Sequence, residues 1–177
     1  YFIYIYMKKI IITGKRNIES IKKEKNNVRL TSTKWENKNY LLEKNKQQNL
    51  INQLYLGEKF EGYNNVKREI EKKLNGYKNQ DIKKDKYKKK LFITYDNLIE
   101  KIVISKLLCY YCRKSCKLMY ENIREEMQWT LDRINNDEGH NTDNVVICCL
   151  KCNLKRRTTN DKHFKFAKQM KIIKKYD

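Results

Sequence analysis

"WTLDRINNDEGHNTDNVVICCLKCNLKRR", Trp129 to Arg157, gathers an Asp-Arg pair, a Gly-His pair, three cysteines and five asparagines in one short stretch. "QWTLDRI" and "NVVICC" are strand-like, whereas "NNDEGHNTD" between them is rich in turn formers. "CNLKRRTT" can start a helix. The order is therefore strand, long loop, strand, helix, which brings the first strand and the helix start together.

All six cysteines lie between Cys109 and Cys152. A disulfide framework would spread its bridges over a small secreted domain, whereas here the first hundred residues have none, so an intracellular metal site is favoured. Cys109 and Cys112 form one CxxC, Cys149 and Cys152 a second, with 36 residues between the pairs. Two intervening residues let a tight turn aim both sulfurs at one ion while turn N–H groups stabilise the thiolates. Two such turns complete a four-cysteine zinc site. Cys116, four beyond Cys112, is a substitute ligand or a small buried thiol, and Cys148 reads as the latter.

The chain of 177 residues carries 41 Lys plus Arg against 21 Asp plus Glu, a formal charge of +20. Length allows one domain with an appendage or two small modules and excludes a large catalytic barrel. Codon bias toward Lys, Asn, Ile and Tyr supplies part of the charge, yet a polyanion is the natural partner, because neutralising phosphates releases condensed counterions. No stretch approaches the ~20 apolar residues of a spanning helix. The opening "YFIYIYMKKIIITG" lacks the basic start and cleavage site of a signal peptide, and Met7 is a candidate start.

The N-terminal half has helical patterning without a chemical motif. Leu42, Leu50, Ile51, Leu54 and Tyr55 fall at helical spacings, and Val66, Ile70 and Leu74 lie four apart. Asn64 or Asn65 caps this second helix and Gly76 ends it. "DIKKDKYKKK", 81–90, is too charged to bury and reads as a linker or a phosphate-tracking segment ending in Lys88, Lys89 and Lys90. Thr94 or Asp96 then caps a helix burying Leu98, Ile99, Ile102, Val103 and Leu107. The expected fold is α+β: a mostly helical basic region over 1–90 and a zinc-stapled module over 91–177.

The region 107–160, about a third of the chain, resembles the HNH, or ββα-metal, endonucleases through CxxC, "LDRI", "GH", "NVV" and "CxxCNxxR" in that order. The resemblance implies a metal-dependent DNA endonuclease that leaves a 5′ phosphate. Asp132 falls at the acidic metal ligand, Asn144 at the middle Asn that ties the loop to the hairpin, and Asn153 at the second ligand. Arg133 departs from the pattern, since many members have a general-base His there and arginine cannot accept a proton. A branch of the family looks like this chain, with Asp-Arg followed by Gly-Tyr or Gly-His, so His140 becomes the candidate base.

The chemistry fits those residue types. Mg2+ or Mn2+ takes oxygen ligands and keeps several waters, so Asp132 and Asn153 suffice as the protein's share. His140, with an unperturbed pKa near ~6.5, can take a proton from water around neutral pH. Arg133 has the donor fork for gripping phosphate, and Lys155, Arg156 and Arg157 on the helix start are expected to contact the backbone. Replacing Asp132 or Asn153 by Ala is expected to stop cleavage while leaving zinc content and DNA binding largely intact. One site cuts one strand, so a double-strand break needs a homodimer or two visits. The rival reading is a non-catalytic zinc module that binds nucleic acid. The expected setting is intracellular, in cytoplasm, nucleoid or nucleus, with a virus or mobile element as one source.

Overall fold

Alternation and register explain the sheet. Strand β1 (Trp129–Arg133) pairs antiparallel with β2 (Val145–Cys149), Trp129 opposite Cys149 and Asp132 opposite Val146. Side chains alternate along a strand, so Thr130 and Asp132 share one face and Trp129, Leu131 and Arg133 the other. A helix follows β2 directly, beginning at Leu150. The computed structural model describes residues 28–35 and 38–170, and the opening segment around Met7 lies outside them.

Among the described residues six α-helices accompany this pair: α1 (Lys38–Leu42), α2 (Gln47–Tyr55), α3 (Tyr63–Lys83), α4 (Tyr95–Ile104), α5 (Leu150–Arg156) and α6 (Asp161–Gln169). The first apolar run is two helices, because a turn over 43–46 intervenes and the buried Gln47 side chain pins α2 elsewhere. Its Oε1 accepts from Leu118 N at 2.6 Å and its Nε2 donates to Met119 O at 3.1 Å. Thr94 caps α4 by accepting from Asn97 N at 3.2 Å.

Three expectations for α3 are corrected. Gly62, in the left-handed region at φ 80°, is the N-cap in place of Asn64 or Asn65. The helix passes through Gly76 and ends only at Lys83, so it also takes up the start of the lysine run. That run is not a linker. Asp81 is buried, Lys86 N donates to Asp81 O at 2.8 Å, and Lys86 Nζ reaches Asn136 O at 2.5 Å.

Nor does residue 90 divide two cores. Leu41, Leu50 and Ile51, Val66 and Ile70, Leu98 and Ile102, and Trp129, Leu131 and Ile147 belong to one buried cluster. The physical reason is that a two-stranded sheet cannot bury itself. Helix α3 also covers the free edge of β1, where Leu131 N donates to the Tyr77 hydroxyl at 3.0 Å and Lys73 Nζ donates to Trp129 O. An unpaired strand edge is thereby closed by side chains. Among the described residues no helix is long and apolar enough to cross a membrane.

Candidate functional site

The cysteine pairs converge. The Sγ atoms of Cys109, Cys112, Cys149 and Cys152 all lie within 4.8 Å of one another, the only such group of three or more potential ligands among the described residues. Two local devices aim them. In the first pair, Arg113 adopts φ 59° so that its N–H returns to Cys109 O at 3.0 Å, and Tyr110 N ties the turn to Ile147 O of β2 at 2.9 Å. In the second, Cys149 caps α5, its sulfur accepting from Cys152 N at 3.4 Å.

The donor set fits a metal ion such as zinc. Hydrogen bonds from the Cys116 and Cys149 thiols draw Cys109 far below the usual thiol range, and Cys149, donating to Cys109, is pushed up in consequence. One sulfur can thus ionise only at its neighbours' expense, a conflict that a divalent cation resolves by favouring all four thiolates. Cys116 is buried against Cys109 but stands outside the four. Cys148 is buried on the opposite side of β2, 3.3 Å from Thr130 Oγ1.

A cavity of about 670 Å3 runs beside the free edge of β1. Asp132, Arg133, His140, Asn153 and Arg157 line one side, and Lys72, Gly76, Tyr77 and Gln80 of α3, with Lys84 at its C-cap, the other. The geometry brings together Asp132, Arg133, His140 and Asn153. It does not bring in Lys88, Lys89 and Lys90, which lie exposed on the turn after α3.

His140 is held at three points. Its Nδ1 lies 2.8 Å from Asp81 Oδ1, its backbone N–H donates to Asp81 Oδ2 at 2.6 Å, and its ring packs on Tyr77 with centroids 4.7 Å apart. Residue exposures of 1% for Asp81 and 4% for His140 make this a desolvated pair. Burial lowers the His140 pKa below its ordinary 6.5, against the Asp81 carboxylate, which raises it. The ring is therefore neutral at neutral pH. Gly139 permits the approach, because a Cβ there would fall 2.5 Å from Lys86 O and 2.8 Å from Asp81 Oδ2.

The loop carrying His140 is fastened by Asn144. Its Oδ1 accepts from Asn135 N at 2.8 Å, and its Nδ2 donates to Asn135 O and Gly139 O, each at 2.9 Å. Arg133 braces the same loop, donating to Glu138 O at 3.0 Å.

Asp132 sits in a buried network. Its Oδ2 accepts from the Tyr111 hydroxyl and from Arg156 Nε, both at 2.6 Å, and its Oδ1 accepts from Arg156 Nη2 at 3.0 Å. Arg156 is 1% exposed and donates further to Arg133 O and Thr159 O. It is thus not the surface cation that "KRR" suggests, because i, i+4 spacing puts it on the same buried face of α5 as Cys152. Lys155 and Arg157 remain exposed. Asn153 donates through Nδ2 to Thr130 Oγ1 and Leu131 O, each at 3.1 Å. Its side-chain Oδ1 has no donor among the described residues, whereas its backbone carbonyl accepts from Arg157 N at 3.4 Å. Asp132 Oδ1 thus takes one hydrogen bond and Oδ2 two.

Asp81, Tyr111 and Lys73 are site residues that motif reasoning misses. Asp81 had a signal: Val66, Ile70, Leu74 and Tyr77 form an apolar stripe at three- and four-residue steps, and Asp81 is its next member. A carboxylate on a buried stripe needs a partner. Lys73, between the rings of Tyr120 and Trp129 at 4.8 and 4.5 Å, is pushed down to about 7 by burial and by Arg29.

Comparison with protein-family models, curated proteins and solved structures gives no match.

Proposed function

We propose that this chain is a metal-dependent DNA endonuclease of the HNH type, hydrolysing phosphodiester bonds in the cavity beside β1. The observation that carries the reading is the His140–Asp81 pair in a cavity also lined by Asp132, Asn153 and Arg133. A carboxylate oxygen accepts, so Nδ1 carries the ring hydrogen and Nε2 is the free acceptor. Held neutral and oriented, Nε2 takes a proton from an attacking water. Arg157 and the nitrogens of Arg133 not used by the loop face phosphate oxygens. Asp132 and Asn153 would hold Mg2+ or Mn2+, an ion that neutralises charge on the phosphoryl group and on the departing oxygen. The four cysteines would hold zinc as a structural ion. The product carries a 5′ phosphate, and a double-strand break takes a homodimer or two visits.

One observation favours a second reading, a non-catalytic zinc-containing nucleic-acid-binding module: both Asp132 oxygens already serve Arg156. Nicking of supercoiled plasmid with Mg2+ or Mn2+ separates the two. The endonuclease nicks, and His140→Ala lowers the rate by roughly 10² to 10⁴ while duplex binding survives. A protein that retards the plasmid but leaves it supercoiled is the binding module.

A further inference from the structure

Gly76 has no explanation inside the protein. It lies within the 21-residue α3, which runs through it unbroken, and its backbone avoids the left-handed region that only glycine enters freely. A Cβ built there meets nothing within 4 Å. Glycine weakens a helix interior relative to almost any other residue, so neither packing nor conformation recommends it here. The remaining reason for a bare backbone is close approach by something else.

The surroundings of Gly76 say what approaches. Lys72, Gly76, Gln80 and Lys84 follow each other at four-residue steps, are all exposed, and all line the cavity opposite His140 and Asp132. Four-residue steps make one ridge. The ridge carries a cation at each end, an amide within it and a gap at Gly76, and neither lysine joins an ion pair among the described residues. At 1.5 Å per residue its ends are about 18 Å apart. Glu69, a carboxylate on the same wall, is already taken by Arg29.

We propose that this ridge of α3 is the seat of the DNA strand facing the candidate active site: the phosphodiester backbone runs along it, passes over the bare backbone of Gly76, and is held by Lys72 and Lys84 on either side. The assignment rests on the endonuclease reading for the identity of the polyanion. It makes the helical N-terminal region one wall of the substrate groove, with the "LDRI" strand and α5 as the other.

The test replaces Gly76 by Gln in the full chain and measures binding of a fluorescein-labelled random-sequence duplex without divalent ions, then plasmid nicking with Mg2+. Gly76→Gln should melt no lower than the parent, since the site has room and Gln favours a helix. Its duplex affinity should fall roughly tenfold or more by blocking the backbone path, and Lys72→Ala and Lys84→Ala should each lower the log-log salt slope by about one. Normal binding and nicking by Gly76→Gln, or unchanged salt slopes in both lysine variants, overturns the ridge while leaving the endonuclease reading intact. A parent protein that binds duplex without nicking, and loses that binding in Gly76→Gln, overturns the endonuclease reading and keeps the ridge. A parent that neither binds nor nicks overturns both.

Discussion

The cysteine cluster and the cavity beside β1 each join distant parts of the chain, but they are built on opposite plans. In the cluster each half is a four-residue unit whose own turn aims two sulfurs, so the fold has only to bring two finished units together. In the cavity no unit is finished locally. His140 takes its carboxylate from α3, 59 residues upstream, and Asp132 takes its cation from α5, 24 residues downstream. Local units are written in spacing, and long-range partners are not. The cluster is therefore a staple, and the cavity a product of the whole core.

The sharpest way to break this comparison is to remove the staple. Cys109→Ser or Cys152→Ser, or a strong chelator, should release one zinc per chain and unfold the cysteine-bearing region, since structural zinc supplies folding free energy on the order of 10 kcal/mol. Metal analysis and near-ultraviolet circular dichroism on the same samples test this. A zinc-free protein with unchanged spectra would mean that the shared core, and not the four sulfurs, holds the region.

Next in size is the Asp132–Arg156 pair. The motif makes Asp132 a dispensable ligand for folding, but its geometry makes it the counterion of a fully buried guanidinium. Asp132→Ala should cost about 3 to 5 kcal/mol, the usual effect of stripping one partner from a buried ion pair. Arg156→Ala should cost a similar amount, and the double variant less than the sum. Urea unfolding midpoints decide it. If Asp132→Ala unfolds at the parental midpoint, the pair contributes little and the carboxylate is free to act as a ligand only.

How much of this was legible in the sequence follows from the same contrast. Both strands, the four cysteines, a cap at Thr94 or Asp96 and the helix after the second cysteine pair were readable, because alternation, CxxC spacing and capping are properties of a few adjacent residues. The role of Asp81 was not, because "QDIKK" in a lysine-rich stretch looks solvated unless the apolar stripe from Val66 is carried one step further. Arg156 misled for a related reason. Among Lys155, Arg156 and Arg157 charge is uniform, and only the helical phase set by Cys152 distinguishes the buried one.

The dyad gives a smaller, pH-dependent effect. Since burial holds the His140 pKa below 6.5, the nicking rate should rise with pH below that value and level off above it. Asp81→Asn removes a charge that raises this pKa, so the inflection should move to lower pH. The maximal rate should also fall by roughly 10 to 100-fold as orientation of the base is lost. Asp81→Glu should recover part of it. His140 also contributes a sign to stability: below pH 6.5 the unfolded chain protonates before the folded one, so its contribution turns unfavourable as pH falls toward the lowered folded pKa and is absent above 6.5. An inflection that stays put in Asp81→Asn would reduce Asp81 to a loop anchor.

The smallest expected effect separates two sets of lysines. Lys88, Lys89 and Lys90 are three consecutive lysines, yet they lie on a turn that does not line the cavity, whereas Lys72 and Lys84 do. If charge density alone governs binding, alanine at all three positions should lower the log-log salt slope by about three. If the groove governs it, the triple variant should lower the slope by less than the Lys72→Ala, Lys84→Ala double variant, whose expected change is about two. Duplex titrations at several salt concentrations separate these outcomes. A full loss of three would assign the substrate path to the turn after α3 and draw the DNA away from the helix face, whereas a change near zero would leave the run as solvated surface whose lysines reflect composition and not recognition.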